Sequence, residues 1–103
     1  MSLTNPEKKR FRAIGHSLKP VVIIAQKGLT ENIGVEINRA LDSHELIKLK
    51  LQIPDRAAKQ QLTEEICKNH KAEVVQSIGH VLLLYRAAKR LDPKLSNLVR
   101  KND

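Results

Sequence analysis

The sequence predicts an α/β fold in which three helices and a mixed four-stranded sheet follow the order αβαβαββ, as two layers with one sheet face at least partly open. Three observations carry this. Short apolar runs alternate along the chain with stretches whose apolar residues recur every three or four positions. Gly79-His80 separates the last two runs, and a two-residue link with glycine first marks a type II′ hairpin. Strands joined through helices should be parallel with right-handed crossovers, so the hairpin makes the sheet mixed.

Each element follows from local chemistry. Thr4 or Asn5 can cap a first helix, with Pro6 in its opening turn and Glu7 completing a Thr-x-x-Glu capping box. Phe11, Ile14 and Leu18 give that helix one narrow apolar face; Gly15 is a plausible stop, and Pro20 prevents continuation. Val21 to Ala25 is apolar without alternation, which suits a central strand covered on both faces. Gly28 ends that run, and Thr30 caps a second helix in which Ile33, Ile37 and Leu41 recur every fourth residue. Leu46 to Ile53 alternates, with Ile47, Leu49, Leu51 and Ile53 on one side and Lys48, Lys50 and Gln52 on the other. Asp55 caps a third helix with an inner stripe of Ala58, Leu62 and Ile66. Glu73 to Ile78 and Val81 to Arg86 form the hairpin, and a weakly patterned basic tail follows.

At 103 residues the chain reads as one domain, with a core over about 4–90 and a basic tail over 91–103. Its apolar runs are too short to span a membrane, and no apolar stretch follows the charged N-terminus, so a membrane partner and a secretory route are not expected. Cys67 is the single cysteine; it excludes an internal disulfide, fits a reducing cytoplasm, and reads as a small core residue.

Little looks catalytic. The phosphate-loop, dinucleotide and nucleophile-elbow motifs are absent, and His16, His44, His70 and His80 lack metal-ligand spacing. Neither enzyme activity, nor a metal or other cofactor, nor a small-molecule substrate is expected. The basic residues say more. Nineteen Lys and Arg against eleven Asp and Glu give a net charge of +8, an imbalance that suits a polyanionic partner. Lys8, Lys9, Arg10 and Arg12 crowd the first helix, Lys19 follows it, Lys48 and Lys50 share one strand face, and Arg86 opens the basic C-terminal end.

Gln26, Lys27 and Gly28 join a strand end to a helix N-terminus, where free N–H groups favour an anion and a glycine lets a phosphate approach. The aromatics set the mode of binding. Phe11 and Tyr85 are the only ones, so a stacking platform for splayed bases is missing and structured RNA is favoured over sequence readout. The competing expectations are a basic adaptor for an acidic protein and a general nucleic-acid binder.

Four segments in register then resemble the bacterial YhbY family of stand-alone CRM domains: Ala13 to Val21, Lys27 to Glu31, His44 to Lys50, and Ile78 to Arg86. The resemblance covers roughly residues 4–90. It implies a fold similar to the C-terminal domain of initiation factor three, RNA binding, and association with precursors of the large ribosomal subunit. It also implies a Gly-x-x-Gly loop between first strand and second helix. Here that loop reads Ala25-Gln26-Lys27-Gly28, with alanine at the first glycine position. The expected RNA-contacting set is Lys8, Lys9, Arg12, Lys19, Gln26, Lys27, Gly28, Lys48, Lys50 and Arg86, in a cytoplasmic monomer that assists ribosome assembly.

Overall fold

Each helix begins where a side-chain oxygen meets its free N–H groups. Thr4 Oγ1 accepts from Glu7 N at 3.2 Å while Glu7 Oε1 accepts from Thr4 N at 2.9 Å, so the capping box of α1 (Asn5–His16) is complete. Thr30 Oγ1 accepts from Ile33 N at 3.2 Å to start α2 (Glu31–His44), and Asp55 Oδ2 accepts from Ala58 N at 2.8 Å to start α3 (Arg56–His70). A cap of this kind stabilises a helix by about 1 kcal/mol. The computed structural model describes residues 3–25, 28–89 and 95–98.

Four strands complete the fold: β1 (Pro20–Ile24), β2 (Leu46–Leu51), β3 (Glu73–Ile78) and β4 (Val81–Tyr85). They form one mixed sheet in the order β1-β2-β4-β3, with β1 parallel to β2 and the other pairs antiparallel. At the hairpin Gly79 has φ +57° and His80 does not share a positive φ, as a type II′ turn requires. The His80 ring and backbone carbonyl both bond to Leu51, which fastens the turn to the end of β2.

Helices α2 and α3 cover one face, packing Ile37, Leu41, Leu62 and Ile66 against Val22, Ile24, Ile47, Leu49, Leu82 and Leu84. Helix α1 lies on the other face, where Phe11 packs against Leu46, Val75 and Leu83. The two-layer expectation therefore holds over half of the sheet, and α1 adds a third layer over the rest. Gly15 does not stop α1, which runs on to His16. It serves close packing instead: a β-carbon there would lie 2.5 Å from Leu83 Cδ2.

The expectation for β1 is corrected. It is an edge strand rather than a central one, with Val22 and Ile24 buried but Val21 44% and Ile23 56% exposed. The reason is the reach of α1, which covers the sheet around Leu46, Val75 and Leu83 and leaves the β1 side of that face bare.

The described part of the C-terminal tail is docked. Asn97 N donates to His44 O at 3.0 Å, Asn97 Nδ2 donates to Leu46 O at 2.7 Å, and His44 Nδ1 lies 2.8 Å from Leu95 O. Ser96 is fully buried, with its hydroxyl on the Glu45 carboxylate. Residues 91–94 and 99–103, the rest of the expected basic tail, and residue 90 before it lie outside the described residues.

Candidate nucleic-acid interface

The period-two geometry of β2 places Lys48 and Lys50 on the face that α1 half covers, opposite Ile47, Leu49 and Leu51. Pairing then fixes their neighbours. Lys50 stands beside Ile23 of β1 and Val81 of β4, and Val81 stands beside Ile78 of β3. Ile23, Lys50, Val81 and Ile78 therefore form one row across all four strands. Lys48 stands opposite Leu83, the residue on which Gly15 of α1 rests. Both lysines are half-buried, which fits aliphatic stems lying along the sheet with the ammonium groups in water.

Neither lysine is in an ion pair: among the described residues the one salt bridge is Arg86 to Asp42. Helix α1, on the same side, adds exposed Lys9 and half-buried Lys8 and Arg12, and Lys19 is exposed just before β1. On the opposite side α2 carries Glu31, Glu36 and Asp42 against Arg39, and on α3 Glu64 and Glu65 face Arg56, Lys59 and Lys68. The positive charge is thus concentrated on the α1 side of the sheet.

Two basic residues do other work. Arg86 donates to Asn38 Oδ1 at 2.8 Å, Asn38 O at 3.1 Å, His70 O at 3.0 Å and Asp42 Oδ1 at 2.7 Å. Its fork ties β4 to the C-terminal halves of α2 and α3, on the side away from Lys48 and Lys50. Arg86, expected to contact RNA, thus has a structural role in the fold. Arg10 donates to Leu98 O at 3.1 Å and lies 5.5 Å from the Phe11 ring centre, holding the docked tail to α1.

The loop after β1 stands at the end of the sheet nearest the Ile23 to Ile78 row, together with the Gly79-His80 turn. Gly28 N donates to Ala25 O at 2.9 Å, closing a tight turn, and Gln52 N donates to Ile24 O at 2.7 Å beside it. Gly28 has φ +70°, and nothing lies within 4 Å of where a β-carbon would be. Glycine is needed here for its backbone conformation, and the space in front of it is open. Gln26 and Lys27 lie outside the described residues.

The aromatics are absorbed by the fold. Phe11 is buried, and its ring centre lies 5.0 Å from that of half-buried Tyr85 at a 45° tilt. Burial pushes the Tyr85 hydroxyl pKa up, and the carboxylates of Glu45, Glu7 and Glu73 add to the rise. Among the described titratable residues, His16 is exposed, and the His44 and His80 rings each lie within hydrogen-bond distance of a backbone carbonyl. Burial and then the Arg86 charge lower the His70 pKa. Cys67 lines a cleft of about 760 Å³ between α3 and the hairpin, and burial followed by Glu73 raises its thiol pKa, which disfavours the thiolate. No group of three His, Cys, Asp or Glu side chains among the described residues could hold a metal ion. Nor is any helix among them long and apolar enough to cross a membrane.

Sequence reasoning singled out the two strand lysines but missed the exposed isoleucines beside them. The signal was present in β1, whose lack of alternation fits a strand covered on one face and bare on the other as well as a central one.

Comparisons with known proteins agree on one family. The profile of the CRS1 / YhbY (CRM) domain matches residues 3–86. A protein of Pseudomonas aeruginosa, named a probable RNA-binding protein, is 46% identical over 100 residues, covering 97% of this chain and 96% of its own. An RNA-binding protein of Haemophilus influenzae is 42% identical over 88 residues, covering 85% and 89%. Among solved structures, a hypothetical protein of Staphylococcus aureus superposes with a TM-score of 0.75 at 30% identity, over 86% of this chain and 93% of that one.

Proposed function

Because the chain belongs to the CRS1 / YhbY (CRM) domain family, we propose that it acts as one unit that binds structured ribosomal RNA in precursors of the large subunit and assists their assembly. The observation that carries this is the one-sided charge: Lys8, Lys9, Arg12, Lys19, Lys48 and Lys50 gather on the α1 side of the sheet, with no carboxylate paired to the strand lysines among the described residues. Such a surface draws in a polyanion and releases its counterions. Phe11 is buried and the half-buried Tyr85 packs its ring on it, so the two aromatic residues form no open stacking platform, which favours backbone and groove contacts with folded RNA.

The loop contributes a second anion contact. Gly28 sets an open backbone turn three residues before α2 begins, close to a helix N-terminus whose dipole favours an anion, and Lys27 adds charge one residue before it. The protein works in the cytoplasm as a monomer, without catalysis or cofactor, and orders RNA through contacts that salt reverses.

The test is crosslinking in cells followed by sequencing of the attached RNA, with sedimentation in a low-salt gradient. Reads concentrated in large-subunit precursor RNA, and comigration with that precursor, are expected. Crosslinks spread over messenger RNA, with the protein only in the free pool, would refute the assembly role.

A further inference from the structure

The sheet face beyond α1 is not simply basic. Ile23 is 56% and Ile78 62% exposed, Val21 is 44% exposed beside them, and the half-buried Lys50 and Val81 complete the row. These side chains project from adjacent strands on one face, with Lys50 between Ile23 on one edge and the Val81–Ile78 pair on the other, and neither Lys48 nor Lys50 has an ion-pair partner among the described residues. Three strand spacings make the row roughly 15 Å wide.

A row of this composition asks for a partner that is anionic at intervals and apolar between them. We propose that the row Ile23, Lys50, Val81 and Ile78 seats the shallow minor groove of an A-form RNA helix, its aliphatic side chains packing on ribose carbons while Lys48 and Lys50 meet the flanking phosphates. This rests on the RNA-binding reading above and deepens it. The minor groove of A-form RNA is wide and shallow and displays its sugars, so a flat sheet can approach it, whereas the narrow minor groove of B-form DNA admits no such face. Aliphatic rather than aromatic residues suit the groove, because riboses offer C–H surface and not an exposed π face.

The two kinds of contact have different salt signatures, and that makes the inference testable. An apolar contact releases no counterions, so removing it lowers affinity without changing the slope of log K against log salt. Ile23→Thr with Ile78→Thr keeps β-branching in both strands and alters only exposed positions, so folding should survive. Measured on an RNA duplex by fluorescence anisotropy, this variant should bind about tenfold more weakly with the wild-type slope. Its preference for RNA duplex over DNA duplex of the same sequence should shrink as well. Lys48→Ala with Lys50→Ala should instead lower the slope by about 1.5 to 2 units.

If the isoleucine variant, folded by circular dichroism, binds RNA duplex like wild type while the lysine variant weakens, the groove seat is wrong and the RNA-binding reading stands. If neither variant affects binding, the reading of the whole face fails. Should the wild type sediment as a dimer that the isoleucine variant abolishes, the row is an interface between copies, and the proposal is overturned.

Discussion

The Glu45 carboxylate, in a residue only 7% exposed, accepts a hydrogen bond from Ser96 Oγ at 2.8 Å, and Ser96 is itself fully buried. The other carboxylate oxygen accepts from Ala88 N at 2.8 Å. Glu45 also caps α2 with φ +63°, a conformation that costs a residue with a side chain. A buried charge and a strained backbone at one position persist only when their surroundings compensate, and here the compensation comes from residues after β4. Ser96→Ala should therefore destabilise the fold by about 1–3 kcal/mol in urea unfolding, because it leaves a buried carboxylate short of a donor. A double variant that also carries Glu45→Gln should lose less stability than the sum of the two single losses, because both substitutions disrupt the same hydrogen bond. Additive losses would show that the tail is held by something other than this bond.

That tail marks where sequence reading runs out. Thr4, Thr30 and Asp55 were legible because a cap acts on an N–H three residues away. The alternation that sets Lys48 and Lys50 apart from Leu49 is local in the same way. The partners of Glu45 lie 43 and 51 residues off, and nothing about a lone glutamate announces them. The edge position of β1 is equally remote, since it depends on β4 returning between β2 and β3. For the candidate site the sequence shows where charges are and not what they face. Lys50 and Arg86 read alike as basic residues near strand ends, yet one stands among exposed apolar side chains and the other is enclosed by four acceptors.

Gly15 against Leu83 gives a prediction in which two effects oppose. Alanine is favoured over glycine inside a helix by about 1 kcal/mol. The added methyl, however, meets Leu83 Cδ2 at 2.5 Å and Cδ1 at 2.7 Å, and Leu83 is itself a buried core residue that must shift to make space. Overpacking of this kind costs about 1–3 kcal/mol, so Gly15→Ala should be net destabilising and Gly15→Val more so. Leu83→Ala should cost less in the Gly15→Ala background than in wild type, read from urea midpoints.

Arg86→Ala separates a structural arginine from an RNA-binding one. Losing the bonds to Asn38, Asp42 and His70 should destabilise the fold by about 1–3 kcal/mol. Asp42 is 60% exposed in its side chain, so little of that comes from the ion pair. The salt slope of RNA binding should not change. Arg86→Lys should recover only part of the stability, since an ammonium cannot reproduce the planar fork. A slope lowered by nearly one unit would return Arg86 to the RNA interface.

His70 sets a pH dependence of known sign. Burial, and then the Arg86 charge, depress its pKa below the ordinary value of 6.5. Between the depressed value and 6.5 the unfolded chain binds more protons at this site than the folded one, so stability falls as pH drops through that window. His70→Gln keeps the backbone carbonyl that Arg86 uses and should flatten the fall in urea midpoint between pH 7.5 and pH 5.5. An unchanged pH profile would mean that His70 titrates as freely in the fold as in the open chain.

The last prediction weighs the loop against the helix. Gly28, at φ +70° with open space before it, lets a phosphate approach the backbone of the turn that leads into α2, and any side chain there obstructs the approach. Gly28→Val should lower affinity for structured RNA about tenfold at constant salt slope, because it removes no charge; Gly28→Ala, less strained at positive φ, should show the same direction more weakly. Lys9→Ala with Arg12→Ala should do the opposite, lowering the slope by about 1.5 to 2 units with the loop intact. The pattern of slopes decides which part of the surface touches the backbone. If both glycine variants keep their helical circular dichroism and bind like wild type while the α1 variant weakens, the turn is only the start of α2. The face formed by α1 and the open sheet would then hold the RNA alone, and Ala25 in place of glycine would mark a loop relieved of that contact.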